Sequence, residues 1–222
     1  MNWTAILTSL QLACVTTAVL MVLGIPLAYW LAFNRKRWSF LVEAVVALPL
    51  ILPPTVLGFY VLVALGPQSP VGRMYERVFG STLPFTFKGL VIASTLYSLP
   101  FAVQPIVSAF GSVSRKLIEA SWTLGVSRWG TFRRVIVPQS VAGLVTGTVL
   151  SFAHTIGEFG VVLMVGGNIE GETRTISIAI YDDVQALNQA QANTTALILL
   201  VFSFVILATV YAVNRKNWTA FS

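Results

Sequence analysis

Charge is scarce in this sequence of 222 residues: Asp, Glu, Lys and Arg make up 10% of it, against 56% hydrophobic residues. A water-facing surface uses roughly a quarter charged residues, and the mean hydropathy of +0.80 points the same way. Soluble enzyme, secreted disulfide scaffold and nucleic-acid binder are therefore poor readings. Cysteine occurs once, as Cys14 inside an apolar run, so no internal disulfide can form. Histidine also occurs once, as His154, and the spacing His154-Thr-Ile-Gly-Glu158 lacks the second histidine of a zinc motif. No acid, base and nucleophile set is recognisable, so neither a catalytic residue nor a metal site is expected. A Gly-x-x-x-x-Gly-Lys-Ser/Thr loop is missing as well, which leaves this chain no evident phosphate cradle for ATP. Nor is there an internal repeat or a low-complexity tract. No charge precedes Arg35, so the positive start of a cleaved signal peptide is missing, and a retained first helix is expected.

What is there is a series of long apolar runs. They extend over Ala5–Phe33, Ala44–Leu65, Gly89–Phe110, Val135–Val165 and Thr194–Val213. The first would reach about 44 Å as a helix, more than the hydrocarbon core of roughly 30 Å, so it must tilt, bend at Pro26 or start outside the bilayer. Backbone groups in lipid must be satisfied within each segment, which favours helices. The expected fold is all-α: a polytopic membrane bundle of about five transmembrane helices, forming a single transmembrane domain over residues 1–222. The charges fall between the runs. Arg35, Lys36, Arg37, Arg115, Lys116, Arg128, Arg133, Arg134, Arg215 and Lys216 fall on one side, and Arg73, Arg77, Lys88 and Arg174 on the other. The positive-inside rule puts the first group in the cytoplasm, with the amino terminus outside and the carboxyl terminus inside.

Prolines interrupt the runs at Pro26, Pro49, Pro53, Pro54, Pro100, Pro105 and Pro138. Around Pro53 and Pro54 two readings stand: ordinary bundle packing, or an interrupted helix beside a transport pathway. Thr148 and Ser151 are hydrogen-bond donors inside a span, suited to lining a polar path, yet small polar residues also serve helix packing. Glu158 is an ionisable group inside a span and hence a functional candidate. A structural or gate-organising role is expected for it: a hydrogen bond with His154, one helical turn away, is feasible, and a pairing with backbone or a neighbouring helix is expected. Arg174 lies beside Glu170 and Glu172 in an external loop, where it meets either a partner or a local carboxylate.

The segment 111–138 reads as helix, turn, helix. Leu117, Ala120, Ser121 and Leu124 share a face of the first piece, Trp129, Phe132, Arg133 and Ile136 a face of the second. Gly125 makes the turn, and Pro138 opens the next span. From the residues alone, an amphipathic helix lying among anionic headgroups and a protein docking site are both open.

Glu119-Ala120-Ser121, Gly125, Val135, Val137 and Pro138 carry the spacing of the EAA loop of ABC-importer permeases, Glu-Ala-Ala, three residues, Gly, nine residues, Ile, one residue, Leu-Pro. Ser121, Val135 and Val137 depart modestly from it. Over roughly Ala5–Val213 the chain resembles the molybdate permease subunits of that superfamily, through Gly24-Ile25-Pro26-Leu27-Ala28, Pro53-Pro54 with Gly58, Gly157-Glu158-Phe159-Gly160 and Gly171-Glu172-Thr173-Arg174-Thr175. The resemblance implies that Glu119, Ala120, Ser121, Gly125 and Pro138 form a coupling helix seated in a cytoplasmic ATPase. It implies two such ATPase subunits, which bind ATP and Mg, while this chain binds no cofactor. A second permease copy and an external or periplasmic oxyanion-binding protein complete the assembly, in the cell membrane of a prokaryote and surrounded by its lipid. Pro53, Pro54, Thr148, Ser151 and Glu158 are the pathway or gate candidates, and Arg174 the external-loop candidate. Sulfate or tungstate is the alternative substrate, and an ATPase-independent carrier or channel the more remote alternative function.

Overall fold

The computed structural model describes residues 2–34 and 37–219, with side chains as far as residue 212. Of the basic residues assigned to one side, Arg35 and Lys36 lie outside the described residues, and the side chains of Arg215 and Lys216 outside the described side chains. The bundle is built on helices α1 (Trp3–Phe33), α5 (Phe87–Ser112) and α12 (Gln189–Thr219), the three whose length and composition suffice for a membrane crossing. Side chains fix where two of them start. Asn2 accepts from the Ala5 N–H at 3.0 Å, and Thr86 from the Gly89 N–H at 3.2 Å, satisfying donors that a first helical turn leaves free.

The other two anticipated spans are not straight. The second divides into α2 (Ser39–Ile51) and α3 (Pro54–Leu65), bent by 116° at Leu52 and Pro53. Two consecutive prolines supply no backbone donors there, and the residue before a proline is driven to extended geometry, as Leu52 is with ψ 137°. The fourth is broken twice. Short helix α6 (Arg115–Thr123) is followed by α7 (Arg128–Thr131), a π-turn over Phe132–Ile136, and α8 (Val137–Gln139). A 73° bend then leads into α9 (Val141–Gly157), and Glu158 and Phe159 separate α9 from α10 (Gly160–Gly166). Pro138 therefore does not open the span; it lies in the connecting helix before the bend, and the crossing segment starts at Val141. With each bent pair taken as one crossing, the chain has up to five.

Two short helices complete the order. In α4 (Pro70–Phe79), Ser69 caps the amino end at 2.8 Å and Gly80 the carboxyl end with φ +66°. The other, α11 (Ile176–Gln185), starts where the Ile176 N–H donates to Ser9 on α1 at 2.8 Å.

Packing inside the bundle depends on small residues. α1 and α5 run parallel, Leu12 meeting Leu90 near one end and Ala28 and Leu31 meeting Phe110 near the other. α9 runs antiparallel to both and turns Gly143, Gly147, Ser151 and Thr155 toward α5, one at every fourth position. A Cβ on Gly143 would collide with Ala109, and one on Gly147 would sit 2.7 Å from the Ala102 carbonyl oxygen. Lipid tails are as apolar as leucine, so helices associate through close van der Waals contact, which such a stripe permits. α12 packs on α9 and α11 and is far less buried than α1 or α5.

Replacing Gly147 with Leu is expected to cost about 1–3 kcal/mol through overpacking. Size-exclusion profiles and thermal unfolding of the purified protein measure it. Gly111→Ala is the control: open space surrounds Gly111, and alanine at a helical glycine leaves stability unchanged or raises it by up to about 1 kcal/mol.

Candidate functional site

The loop between α5 and α9 stands off the basic end of the bundle. α6 ends in a Schellman motif: the Gly125 N–H bonds to the Trp122 carbonyl at 2.9 Å and the Val126 N–H to the Ser121 carbonyl at 3.0 Å. Gly125 holds φ +76°, which a side chain would strain, although the space around it is open. Ser127 then accepts from the Gly130 N–H at 3.1 Å and starts α7. The two pieces are tied by the buried Ser121 hydroxyl, which donates to the Ile118 carbonyl at 2.7 Å and shares a 2.8 Å hydrogen bond with Thr131.

Ser121 thus faces inward with Ile118 and leaves the face anticipated for it. Leu117, Ala120 and Leu124 point outward, Leu124 being 82% exposed. Trp129 is 64% exposed and stacks on Phe132 at 5.3 Å. Glu119 is on the exposed side and pairs with Arg115 one turn earlier at 3.1 Å. Behind it, the Val137 N–H reaches back five residues to Phe132 to close the π-turn, and Pro138 is exposed. The loop therefore presents a rigid, partly apolar outer face on an inward polar tie.

Pro53, Pro54 and Glu158 come together at the two helix breaks. A Cβ on Gly160 would lie 2.7 Å from Pro54 Cβ, and one on Gly58 2.8 Å from Met164 Cβ, so α3 and α10 are in direct contact. Glu158 is 4% exposed, and neither carboxylate oxygen has a hydrogen-bond partner among the described residues. Ser94 of α5 stands beside it, without the geometry of a hydrogen bond, and Thr16 of α1 is at the same level by the register of the parallel helices. Among the described residues, neither the feasible hydrogen bond with His154 nor the expected pairing with backbone or a neighbouring helix is made. α9 ends at Gly157 and Glu158 turns extended with ψ 134°, while His154 Nδ1 shares a 3.0 Å hydrogen bond with Ser98 and its ring stacks on Phe101 at 3.9 Å.

The remaining candidates do not join this cluster. Ser151 is fully buried and donates to the Gly147 carbonyl at 2.8 Å; Thr148 donates to the Leu144 carbonyl at 2.8 Å, with Met21 Sδ also in reach. Their hydroxyls are committed to their own helix. Arg174 lies at the opposite end of the bundle, 2.6 Å from Asn168 Oδ1 and 3.6 Å from carboxylate oxygens of both Glu170 and Asp182. It knits its own loop. A polar stripe escaped sequence inspection: Glu43 of α2 and Gln104 and Ser108 of α5 line a cavity of about 520 Å3, all three exposed. The signal was a polar pair four residues apart, Gln104 and Ser108, in the second half of that span.

Gly125→Val is expected to strain the turn by roughly 1–2 kcal/mol, whereas Gly125→Asn, which tolerates the left-handed region, loses less. Hydrogen exchange at the amides of positions 125 and 126 reads the difference, with faster exchange in the valine variant.

Residues 24–218 match the family described as binding-protein-dependent transport system inner membrane component. The chain is 50% identical over 211 residues to the molybdenum transport system permease protein ModB of Azotobacter vinelandii, covering 95% of this chain and 93% of that one. To the protein of the same name from Escherichia coli K12 it is 37% identical over 184 residues, covering 83% and 80%. Among solved structures, it is similar in fold to a chain of a bacterial alginate ABC transporter, with TM-score 0.77 at 20% identity over 96% of this chain and 78% of that one. It is likewise similar to a chain of the inward-facing MetNI methionine ABC transporter, with TM-score 0.75 at 17% identity over 97% and 95%. With helices throughout, up to five crossings and a match spanning most of its length, the chain belongs to the family of binding-protein-dependent transport system inner membrane components.

Proposed function

We propose that this chain is the permease subunit of an ATP-driven importer of molybdate in a prokaryotic cell membrane. The end-to-end likeness to molybdenum permeases supports the substrate. One observation carries the coupling: outside the bundle, α6 turns Leu117, Ala120 and Leu124 outward beside the Glu119–Arg115 pair, a surface suited to a protein cleft. Two copies of the chain each offer one such loop to a cytoplasmic ATPase that binds ATP and Mg. Closure of the ATPases around ATP draws the loops together and favours one of two packings of the bundle, which is how a ligand shifts an equilibrium. Glu119, Ala120, Ser121, Gly125 and Pro138 act as the coupling element, with Ser121 holding the two pieces from within. A separate binding protein delivers the oxyanion to the outer opening.

Pro53, Pro54 and Glu158 are proposed as gate-organising residues, because they lie where α3 and α10 touch. The exposed stripe of Gln104 and Ser108 is proposed to line the inner half of the path. Gln104 stands eight residues, about 12 Å, from the end of α5. A polar side chain at that depth is unfavourable against lipid and is accommodated beside a second copy or water. Its amide and the Ser108 hydroxyl are neutral donors, while the carboxylate of Glu43 on the same cavity repels a dianion, so the stripe serves as a polar, hydrated lining and not as a binding site for the oxyanion.

Co-purification with the ATPase tests the coupling. Leu124→Asp and Glu119→Lys are each expected to weaken association about tenfold, equivalent to 1.4 kcal/mol. Unchanged association and uptake in both would defeat the assignment, as would uphill accumulation of molybdate in vesicles containing this chain alone. Orientation has its own test, in a Cys14→Ser background: Gly130→Cys is expected to react with an impermeant thiol reagent only from inside, and Glu170→Cys only from outside. The reverse pattern would overturn the topology.

A further inference from the structure

We infer that the groove between α1 and α7 is a binding site for one anionic phospholipid of the leaflet at the basic end. The groove has a volume of about 570 Å3. Met21, Ile25, Pro26 and Tyr29 of α1 form one wall, and Trp129 and Phe132 the other. Among the described residues, Arg128 is the only charged one lining it. Arg128 also lines a neighbouring cavity of about 240 Å3 with Phe33 and Trp122, which fixes the charge at the end of the groove nearest the end of α1.

Depth identifies the occupant. Tyr29 lies four residues before the end of α1 and Met21 twelve, so the walls run from about 6 Å to about 18 Å inside the helix end. One leaflet of the hydrocarbon core is about 15 Å deep. An apolar slot over that range with a guanidinium at its shallow end matches an acyl chain below a phosphate. Trp129, amphipathic and exposed, stands at the level such rings occupy between headgroup and chain. The charge is uncommitted: Arg128, Arg133 and Arg134 make no ion pair with an acidic side chain among the described residues, and Arg133 and Arg134 are exposed on the adjoining π-turn. The loop then has two surfaces, α6 for protein and α7 for lipid. The lipid site holds whether or not the proposed transport activity does.

Native mass spectrometry of the delipidated full-length chain in detergent tests it, titrated with phosphatidylglycerol or with phosphatidylcholine of the same chains. Phosphatidylglycerol is expected to bind at least about fivefold more tightly, the effect of one basic residue at an anionic surface. Arg128→Gln should reduce that preference to within about twofold. Val22→Trp, at a groove residue already 71% exposed and therefore tolerant of size, should displace both lipids by filling the slot. Equal affinity for the two lipids in the native chain would overturn the inference, as would an unchanged preference in Arg128→Gln. So would lipid displaced by millimolar inorganic phosphate, which would indicate a free-phosphate site, or retention of both lipids in a folded Val22→Trp chain.

Discussion

A chain that enters hydrocarbon must satisfy its own backbone hydrogen bonds, and the rest of this structure follows from how the prolines challenge that rule. Pro26, Pro100 and Pro105 are absorbed within α1 and α5, which continue through them. At Pro53 and Pro54 the helix gives way, and the interruption is placed against a second one at Glu158 and Phe159. Glu158 at the second break is buried in the bundle, whereas Ile51, Pro53 and Pro54 at the first are exposed on this single chain. The small residues of α9 bring it close against α5.

For the loop at the basic end, an amphipathic helix at the headgroups and a protein docking surface are both compatible with its residues. The Schellman turn at Gly125 and the Ser121–Thr131 tie divide that segment into two short helices. α6 sends Leu117, Ala120 and Leu124 away from the bundle, and the π-turn after α7 lays Phe132 against Tyr29 of α1 at 5.3 Å.

Composition and run length made the helical class and the three long crossings legible, because hydropathy over about 20 residues reports a bilayer directly. The Gly125 turn was legible too, since left-handed backbone favours glycine. The interruption at Pro53 and Pro54 was legible as one of two readings, because consecutive prolines remove backbone donors; its 116° bend, the 73° bend after Gln139 and the break at Glu158 were not, since hydropathy is blind to direction. His154 and Glu158 looked like a helical pair because their spacing is right; the end of α9 at Gly157 removes the geometry that spacing assumes. Ser121 was assigned to the wrong face because its inward hydrogen bond to Thr131 is tertiary and leaves no periodic trace. α4 carries Ser-Pro at its start and Gly at its end, the local signals of a helix, within an interval too polar to count as a span.

The touching of Gly160 and Pro54 has a mechanical meaning. The Pro54 ring rests directly on the Gly160 backbone, so α3 cannot be pressed toward α10 without displacing it, whereas drawing the two apart forfeits only their van der Waals contact. The contact is a one-way stop, like a doorstop.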